Sequence, residues 1–172
     1  MARFWHTPIC LAPRHLRPWL TARASLTARL QESFGPIRVQ VISEKPSRAH
    51  RDEQPLLHRH RIDKWHYTRD VLLLAGDQAR VFAHSVAPRD AIRHGLRLLG
   101  RIGNKPLGAA LFADPQIRRG PLGWKQIDRR DPLWQKAARA AGPLPARLWA
   151  RRSQFIRGSA RLLVTEVFLK LN

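Results

Sequence analysis

The sequence of 172 residues has only one cysteine, Cys10. A single cysteine excludes a disulfide within the chain and a zinc site built from cysteines, and it is typical of a reducing compartment. Long apolar runs are also missing, since runs such as residues 71–75 are far shorter than the ~20 residues that span a bilayer. Arg3 and some apolar residues are present at the start, but Pro8, Pro13, Arg14 and His15 interrupt them, so no secretory signal is predicted there. We therefore expect a soluble, cytoplasmic protein without stable membrane insertion, although peripheral contact with a membrane surface remains open.

Acidic residues are scarce as well. The chain has 12 Asp and Glu against 32 Lys and Arg, which gives a net charge of +20. Such a field favours anionic partners, which include nucleic acid, acidic lipid and polyanionic small substrates. The basic residues are scattered along the whole chain, and we interpret most of them as solvated surface charge. The length and the 44% of hydrophobic residues suit one globular domain over residues 1–172.

The alternation of apolar and polar residues predicts antiparallel hairpins separated by short helices, and therefore an α+β fold. Residues 1–18 are interpreted as an irregular N-terminal segment and residues 44–62 as a long loop or flap. The predicted strands cover residues 37–43, 65–74, 79–87, 117–127, 148–156 and 161–169. The predicted helices cover residues 26–33, 90–99, 106–112 and 132–140, with Ser25, Asp90 and Asp131 as caps.

One acidic residue, Glu166, lies in an unusual position within the last predicted strand. Because successive side chains of a strand point to opposite faces, one face carries Leu162, Val164, Glu166 and Phe168. The other face is also apolar, so the strand is predicted to be buried on both sides. A buried carboxylate is costly unless it is paired, hydrogen-bonded or neutralised, which makes Glu166 a candidate site residue. The alternative is a solvent-facing Glu166 on an edge strand.

Arg69 occupies a comparable position in the strand predicted over residues 65–74. It shares a face with Trp65, Tyr67, Val71 and Leu73. The fork of donors of an arginine matches a carboxylate, either of the protein or of a ligand. Arg69 and Glu166 therefore form either a buried ion pair or the two ends of a small apolar pocket. Such a pocket suits a ring-shaped carboxylate with a polar group at the opposite end.

Other motifs that carry chemistry are weak or missing. Among the eight histidines, His58, His60 and His66 lie near the predicted flap, but no metal-binding spacing such as HExxH occurs. Residues 100–103 lack the strand and spacing of a dinucleotide-binding turn. Ser153 lacks the glycines that surround a catalytic serine at a nucleophile elbow. These patterns predict neither a metal site nor a dinucleotide-binding turn.

Several segments, taken in order, carry a resemblance to a known family. They are residues 19–20, 25–30, 53–57, 67–77, 85–88, 99–100, 104–112, 148–153 and 162–169. In this order, and with this spacing, they resemble the chorismate pyruvate-lyases (chorismate lyases) of ubiquinone biosynthesis. The resemblance covers roughly residues 19–170.

The resemblance implies a single antiparallel sheet with helical flaps that cover an internal ligand pocket. It implies a lyase that converts chorismate to 4-hydroxybenzoate and pyruvate, the first committed step of ubiquinone biosynthesis, without a cofactor. The catalytic positions of the family fall on Arg69 and Glu166, which also bind the substrate. Two further substrate-binding positions fall on Leu26 and Leu107. Leu26 replaces a frequent Met, so a backbone contact would survive there. We expect the enzyme to act as a monomer.

Two other classes of function compete with this interpretation. A basic nucleic-acid-binding module would use the charge of +20 and would bind less tightly as salt increases. No helix-turn-helix, zinc-finger or RNA-recognition motif supports it, so nucleic acid is not an expected partner. The second alternative is a non-catalytic relative that binds an aromatic carboxylate.

Overall fold

The computed structural model describes residues 5–57 and 64–171. Its strands are β1 (Ile37–Ser47), β2 (His66–Ala75), β3 (Gln78–Pro88), β4 (Arg118–Arg119), β5 (Gly123–Asp128), β6 (Arg147–Arg157) and β7 (Ala160–Phe168). Its α-helices are α1 (Arg17–Thr21), α2 (Leu26–Phe34), α3 (Gln54–Leu57), α4 (Arg89–His94), α5 (Leu107–Ala113) and α6 (Pro132–Ala141). Two 3₁₀-helices cover Ile9–Leu11 and Arg97–Arg101. Among the described residues, none of the helices combines the length and hydropathy needed to cross a bilayer.

All seven strands belong to one antiparallel sheet, which confirms the predicted α+β class. The strand order is β1-β2-β3-β7-β6-β4, and β5 also pairs with β6. Two-residue turns join β2 to β3 and β6 to β7. Gly76 and Gly158 begin these turns with φ values of +56° and +57°, a conformation that side chains disfavour. The last strand, β7, lies between β3 and β6, so the prediction of a buried strand is confirmed and the edge-strand alternative is wrong.

Most of the elements predicted from local patterns agree with the structure, but the strand predicted over residues 117–127 is divided into β4 and β5, and residues 9–11 and 17–18 of the segment predicted as irregular are helical. Two further regions differ. The helix predicted over residues 90–99 is broken, because Gly95 ends α4. A Cβ at Gly95 would lie 2.5 Å from the Cβ of Ala160, so the chain approaches β7 too closely there for a side chain. The prediction that Asp90 caps this helix is also wrong, since the N-cap is Pro88 and makes no side-chain cap.

The second difference concerns the loop predicted over residues 44–62. Strand β1 continues to Ser47 because it pairs with the whole of β2, and Gln54–Leu57 form α3. Leu57 packs under the sheet against Val86 and Leu163, so part of this segment is anchored. The predicted flap histidines His58 and His60 lie outside the described residues.

The two faces of the sheet are covered by different elements. On one face, α1 and α2 pack in an apolar core that includes Trp19, Leu30 and Val71. On the same face, α4, α5 and the second 3₁₀-helix form a neighbouring core that includes Leu111 and Phe155. On the opposite face, α6 packs against β3, β6 and β7. The candidate site lies between these two cores of the first face.

Candidate active site

A cavity lies between the sheet and the two helices α2 and α5. Most of its lining is apolar and comes from β1, β2, β3, β6, β7 and these two helices. All four residues that the sequence singled out line this one cavity: Leu26, Arg69, Leu107 and Glu166. The charged residues among the lining are three arginines, Arg69, Arg119 and Arg151, and one carboxylate, Glu166. The wall therefore carries an excess of positive charge.

The register of the sheet keeps Arg69 and Glu166 apart. Arg69 pairs with Ser85 of β3, whereas Glu166 pairs with Ala83 of the same strand. Two strand spacings and a two-residue step separate their Cα atoms by about 12 Å. The side chains of Ala83 and Ser85 between them are small, and both line the cavity. The sheet thus leaves room for a ligand between the two charges.

Arg69 is 2% exposed and is held from two sides. Its Nη2 donates a hydrogen bond to the carbonyl oxygen of Gly103 at 2.7 Å. Its Nε lies 3.4 Å from Oε2 of Glu44, which is the ion-pair partner of Arg69. The alternative of a buried ion pair between Arg69 and Glu166 is therefore wrong. A guanidinium has five N–H donors, so these two contacts leave donors for a ligand.

Glu166 pairs with a different arginine, Arg151, which is its direct neighbour on β6. Nε of Arg151 donates a hydrogen bond to Oε2 of Glu166 at 2.5 Å. Nη1 of Arg151 donates to the carbonyl oxygens of Trp19 and Ala22 at 2.7 and 2.9 Å. Arg151 is fully buried, whereas the Glu166 side chain is 13% exposed. These bonds hold the carboxylate in one orientation at the cavity wall.

Arg119 on β4 is the third arginine of the cavity. Its Nη1 donates to the carbonyl oxygen of Arg23 at 2.6 Å, and its guanidinium lies 5.4 and 5.5 Å from the ring centroids of Phe112 and Phe155. Burial, and then the nearby charge of Arg151, lower the pKa of Arg119 to about 10. A buried cation beside a second cation is stabilised when an anion binds to it.

Sequence reasoning missed Arg119 and Arg151, because scattered arginines were interpreted as surface charge. A signal for Arg151 was present, since alternation in β6 places it on one face with Trp149, Ser153 and Phe155. Arg119 lies on a strand of two residues, which is too short to show alternation.

Helix α2 places its N-terminus at the cavity. The Ser25 hydroxyl accepts a hydrogen bond from the Ala28 amide at 3.4 Å, which confirms Ser25 as its cap. Leu26 and Thr27 of its first turn line the cavity, and that turn contains no acidic residue. Because the N-terminal end of a helix carries partial positive charge, α2 adds to the positive character of the site. Leu107 begins α5 at the facing wall, so the two helices cover the cavity together.

A second polar cluster lies on the opposite face of the sheet. Ligand atoms of His50, Glu53 and His84 lie within 4.8 Å of one another, which makes this group the candidate for a metal among the described residues. The rings of His50 and His84 are stacked, with an angle of 18° and centroids 5.1 Å apart. Nearly parallel rings do not direct their nitrogen lone pairs to a common point, and Nδ1 of His84 already contacts Asp70 at 2.5 Å. We interpret the cluster as an ion-pair network.

Solved structures with a similar fold come from bacterial transcriptional regulators. A GntR-family regulator from Bacillus cereus matches 77% of this chain and 91% of its own chain, with a TM-score of 0.57 and 12% identity. The C-terminal domain of the histidine utilization repressor from Pseudomonas syringae matches 80% of this chain and 96% of its own, with a TM-score of 0.52 and 12% identity. At these identities the likeness shows the fold alone.

Sequence relatives are much closer. A protein of Thiobacillus denitrificans named "probable chorismate pyruvate-lyase" is 46% identical over 92% of this chain and 84% of its own length. A protein of the same name from Aromatoleum aromaticum is 45% identical over 91% of this chain and 85% of its own length. The family profile described as chorismate lyase matches residues 4–172. This chain therefore belongs to the chorismate lyase family.

Proposed function

We propose that this chain converts chorismate to 4-hydroxybenzoate and pyruvate in the cavity beneath α2 and α5. One observation carries the proposal: three arginines, Arg69, Arg119 and Arg151, and one carboxylate, Glu166, line an otherwise apolar cavity. Chorismate is a dianion with one carboxylate on its ring and one on its enolpyruvyl side chain. The excess positive charge suits this dianion, and the apolar wall suits its ring. The family of the chain supports the same substrate.

At one end of the cavity, Arg69 binds the ring carboxylate. Burial to 2% exposure weakens competition from water, and the contacts with Gly103 and Glu44 fix the guanidinium in place. The amides at the start of α2, next to Leu26, add a second source of positive potential. Leu107 packs on the ring from the facing helix.

At the other end, Glu166 accepts a hydrogen bond from the 4-hydroxyl of the substrate, and Arg151 orients its carboxylate. In the reaction, C4 loses its hydrogen as a proton, and the electron pair of that bond enters the ring. The bond between C3 and the ether oxygen breaks, and the released enol becomes pyruvate after taking up a proton. Aromatisation provides much of the driving force. The protein therefore contributes restraint, exclusion of water and electrostatic positioning.

We also infer that the enzyme acts as a monomer in the cytoplasm and that residues 1–172 form one domain. The single sheet that contains all seven strands of the described residues supports one domain. The single, exposed Cys10 suits a reducing compartment. Size-exclusion chromatography with light scattering, at the concentration of the activity assay, tests the monomer; an active dimer would contradict it.

The substitution Arg69→Ala tests the proposal, with Arg38→Ala on the exposed side of β1 as its control. Purified protein is incubated with chorismate alone, and both products are quantified by chromatography. We expect the wild type and the control to turn over chorismate at similar rates. Each should form one pyruvate for each 4-hydroxybenzoate. Loss of a buried charged contact costs several kcal/mol, so turnover of the Arg69→Ala variant should fall by at least about 100-fold. Near-wild-type turnover in a folded Arg69→Ala variant would refute the role of Arg69.

The substitution Glu166→Gln separates two roles of the carboxylate. Glutamine keeps a hydrogen-bond acceptor but cannot act as a base of comparable strength. If Glu166 only orients the ring, turnover should persist within about 10-fold, as expected for one altered hydrogen bond. If Glu166 takes the proton, turnover is lost while binding of 4-hydroxybenzoate is retained. A wild-type protein that binds 4-hydroxybenzoate but leaves chorismate intact would instead be a non-catalytic relative.

A further inference from the structure

We propose that Arg119 and Arg151 form a second carboxylate subsite, which binds the enolpyruvyl carboxylate of the substrate. This subsite rests on the proposed function, and it assigns a binding role to two residues outside the pair of Arg69 and Glu166. It explains how the cavity distinguishes the substrate, with two carboxylates, from the aromatic product, with one.

Unsatisfied donors of the two arginines provide the first support. Both side chains line the cavity, Arg119 from β4 and Arg151 from β6. Within the described part of the chain, the buried Nε of Arg119 and the buried Nη2 of Arg151 have no hydrogen-bond partner. Burial of a charged donor without a partner is costly, so such donors are rare unless a ligand or an ordered water completes them. Their shared cavity points to one ligand with several acceptors.

The repulsion between the two guanidinium groups identifies the charge of that ligand. The pKa of Arg119 is lowered first by burial and next by the positive charge of Arg151. Among the described residues that line the cavity, Glu166 is the only carboxylate, and it already accepts a hydrogen bond from Nε of Arg151 at 2.5 Å. An anion placed at the two arginines would remove the repulsion and complete the open donors. A carboxylate suits this task because it can accept from both side chains.

The chemistry of chorismate places one of its carboxylates at this position. The enolpyruvyl ether is attached to C3, the ring atom next to C4, which carries the hydroxyl. If the 4-hydroxyl contacts Glu166, the enolpyruvyl group leaves the ring at the same end of the cavity. Arg151 binds Glu166 directly, and Arg119 lies close enough for the Arg151 charge to act on it. The ring carboxylate lies at the other end, with Arg69.

The subsite also contributes to the elimination. When the bond between C3 and the ether oxygen breaks, its electron pair moves to that oxygen, and the leaving group becomes the enolate of pyruvate. Two guanidinium groups that hold its carboxylate stabilise the negative charge that develops beside it. The aromatic product lacks this carboxylate. We therefore expect Arg119 to contribute to binding of chorismate but little to binding of 4-hydroxybenzoate.

The substitution Arg119→Gln tests the subsite, and Arg118→Gln is the matched control. Arg118 is the preceding residue of β4 and is exposed. Steady-state kinetics with chorismate are compared with the dissociation constant of 4-hydroxybenzoate from calorimetry. Loss of a hydrogen bond to a charged group should lower kcat/KM for chorismate by about 10–150-fold. The dissociation constant of 4-hydroxybenzoate should stay within about 2-fold, and Arg118→Gln should change neither value.

Arg119 also contacts the carbonyl of Arg23 and the ring of Phe112, so it could act by holding the helices over the cavity. In that case Arg119→Gln would weaken the binding of chorismate and the binding of 4-hydroxybenzoate by the same factor, and the subsite would be refuted. Unchanged kinetics would refute it as well. The Arg119→Lys variant keeps the charge and should recover part of the lost kcat/KM. If the wild type forms no 4-hydroxybenzoate, the proposed function fails. The subsite is then still tested by the effect of Arg119→Gln on the dissociation constants of chorismate and 4-hydroxybenzoate.

Discussion

Substitution of His84 by leucine should destabilise the protein without affecting the chemistry of the cavity. His84 is 1% exposed on the sheet face opposite the cavity. Its Nδ1 lies 2.5 Å from Oδ1 of Asp70, and its Nε2 lies 3.5 Å from Oε1 of Glu53. Burial alone lowers the pKa of His84, but the contact with Asp70 and the negative charge of Glu53 outweigh burial and raise the pKa above its usual value. The imidazolium therefore links a strand, β2, to the segment around α3.

The expected loss of stability depends on the cations that remain beside Asp70 and Glu53 in the His84→Leu variant. Removal of one member of a buried ion pair typically costs about 3–5 kcal/mol, because the other charge stays buried. Lys136 lies 3.2 Å from Asp70, and Arg152 lies 3.4 Å from Glu53, so both carboxylates keep one cation in the His84→Leu variant. We therefore expect the lower end, a loss of about 3 kcal/mol. For a protein of this size, that loss lowers Tm by about 6–12 °C.

The effect should depend on pH with a defined sign. Because the pKa of His84 is raised on folding, its stabilisation is complete below about pH 6.5 and is lost as pH rises through the folded-state pKa. The pKa values of Glu53 and Asp70 are lowered, despite burial, mainly by His84, so their stabilisation is present above about pH 4 and is lost on acidification. The network should stabilise the fold most between roughly pH 4 and 6.5.

Urea denaturation of wild type and His84→Leu at several pH values between 5 and 9 measures the difference directly. The difference in the free energy of unfolding should be largest at pH 5–6 and should shrink as pH rises. The exposed His15 provides the control, since His15→Leu should change stability by less than about 0.5 kcal/mol. A difference below about 1 kcal/mol, or one that does not vary with pH, would refute the reasoning. Turnover of chorismate at low temperature should remain near the wild-type value.

Three further substitutions test packing at specific places. The Cβ of Gly123→Ala would lie 2.8 Å from the carbonyl oxygen of Trp5, so this variant should lose about 1–3 kcal/mol in urea denaturation, and an unchanged midpoint would contradict the contact. Asp131 accepts a hydrogen bond from the Leu133 amide as the cap of α6, so Asp131→Ala should lose about 1 kcal/mol by the same measurement. Leu111 is 2% exposed and lines the cavity, so Leu111→Ala should lose about 2–5 kcal/mol and should weaken binding of 4-hydroxybenzoate in calorimetry.

Local patterns were enough to predict most of the elements. Runs of apolar residues predicted the long strands, and four of these strands, β2, β3, β6 and β7, are buried along most of their length. Ser25 and Asp131 cap their helices as expected from residue type. The helix predicted across Gly95 failed because its end depends on a close approach to Ala160, which is 65 positions away along the chain. Strand β1 is longer than predicted because β2 provides pairing partners as far as Ser47.

The residues of the candidate site could likewise be predicted from the sequence, but their partners could not. Arg69 and Glu166 could be predicted from the sequence, because each interrupts an apolar face of its own strand, and burial of a charge calls for a specific partner. The choice of partner was not a local property. Strand order inserts β3 between β2 and β7 and places β6 beside β7, so Glu166 pairs with Arg151 and Arg69 with Glu44.

The sequence by itself determined the type of fold, the family, and two charged residues that face an apolar environment. Only the tertiary structure decided that these charges flank a cavity instead of neutralising each other, because ion-pair distances depend on register between strands far apart in the chain. The tertiary structure also brought Arg119 and Arg151 together with open donors, which distinguishes them from the surrounding surface arginines. A charge count of +20 contains no such information, since it does not say which cations are withdrawn from water.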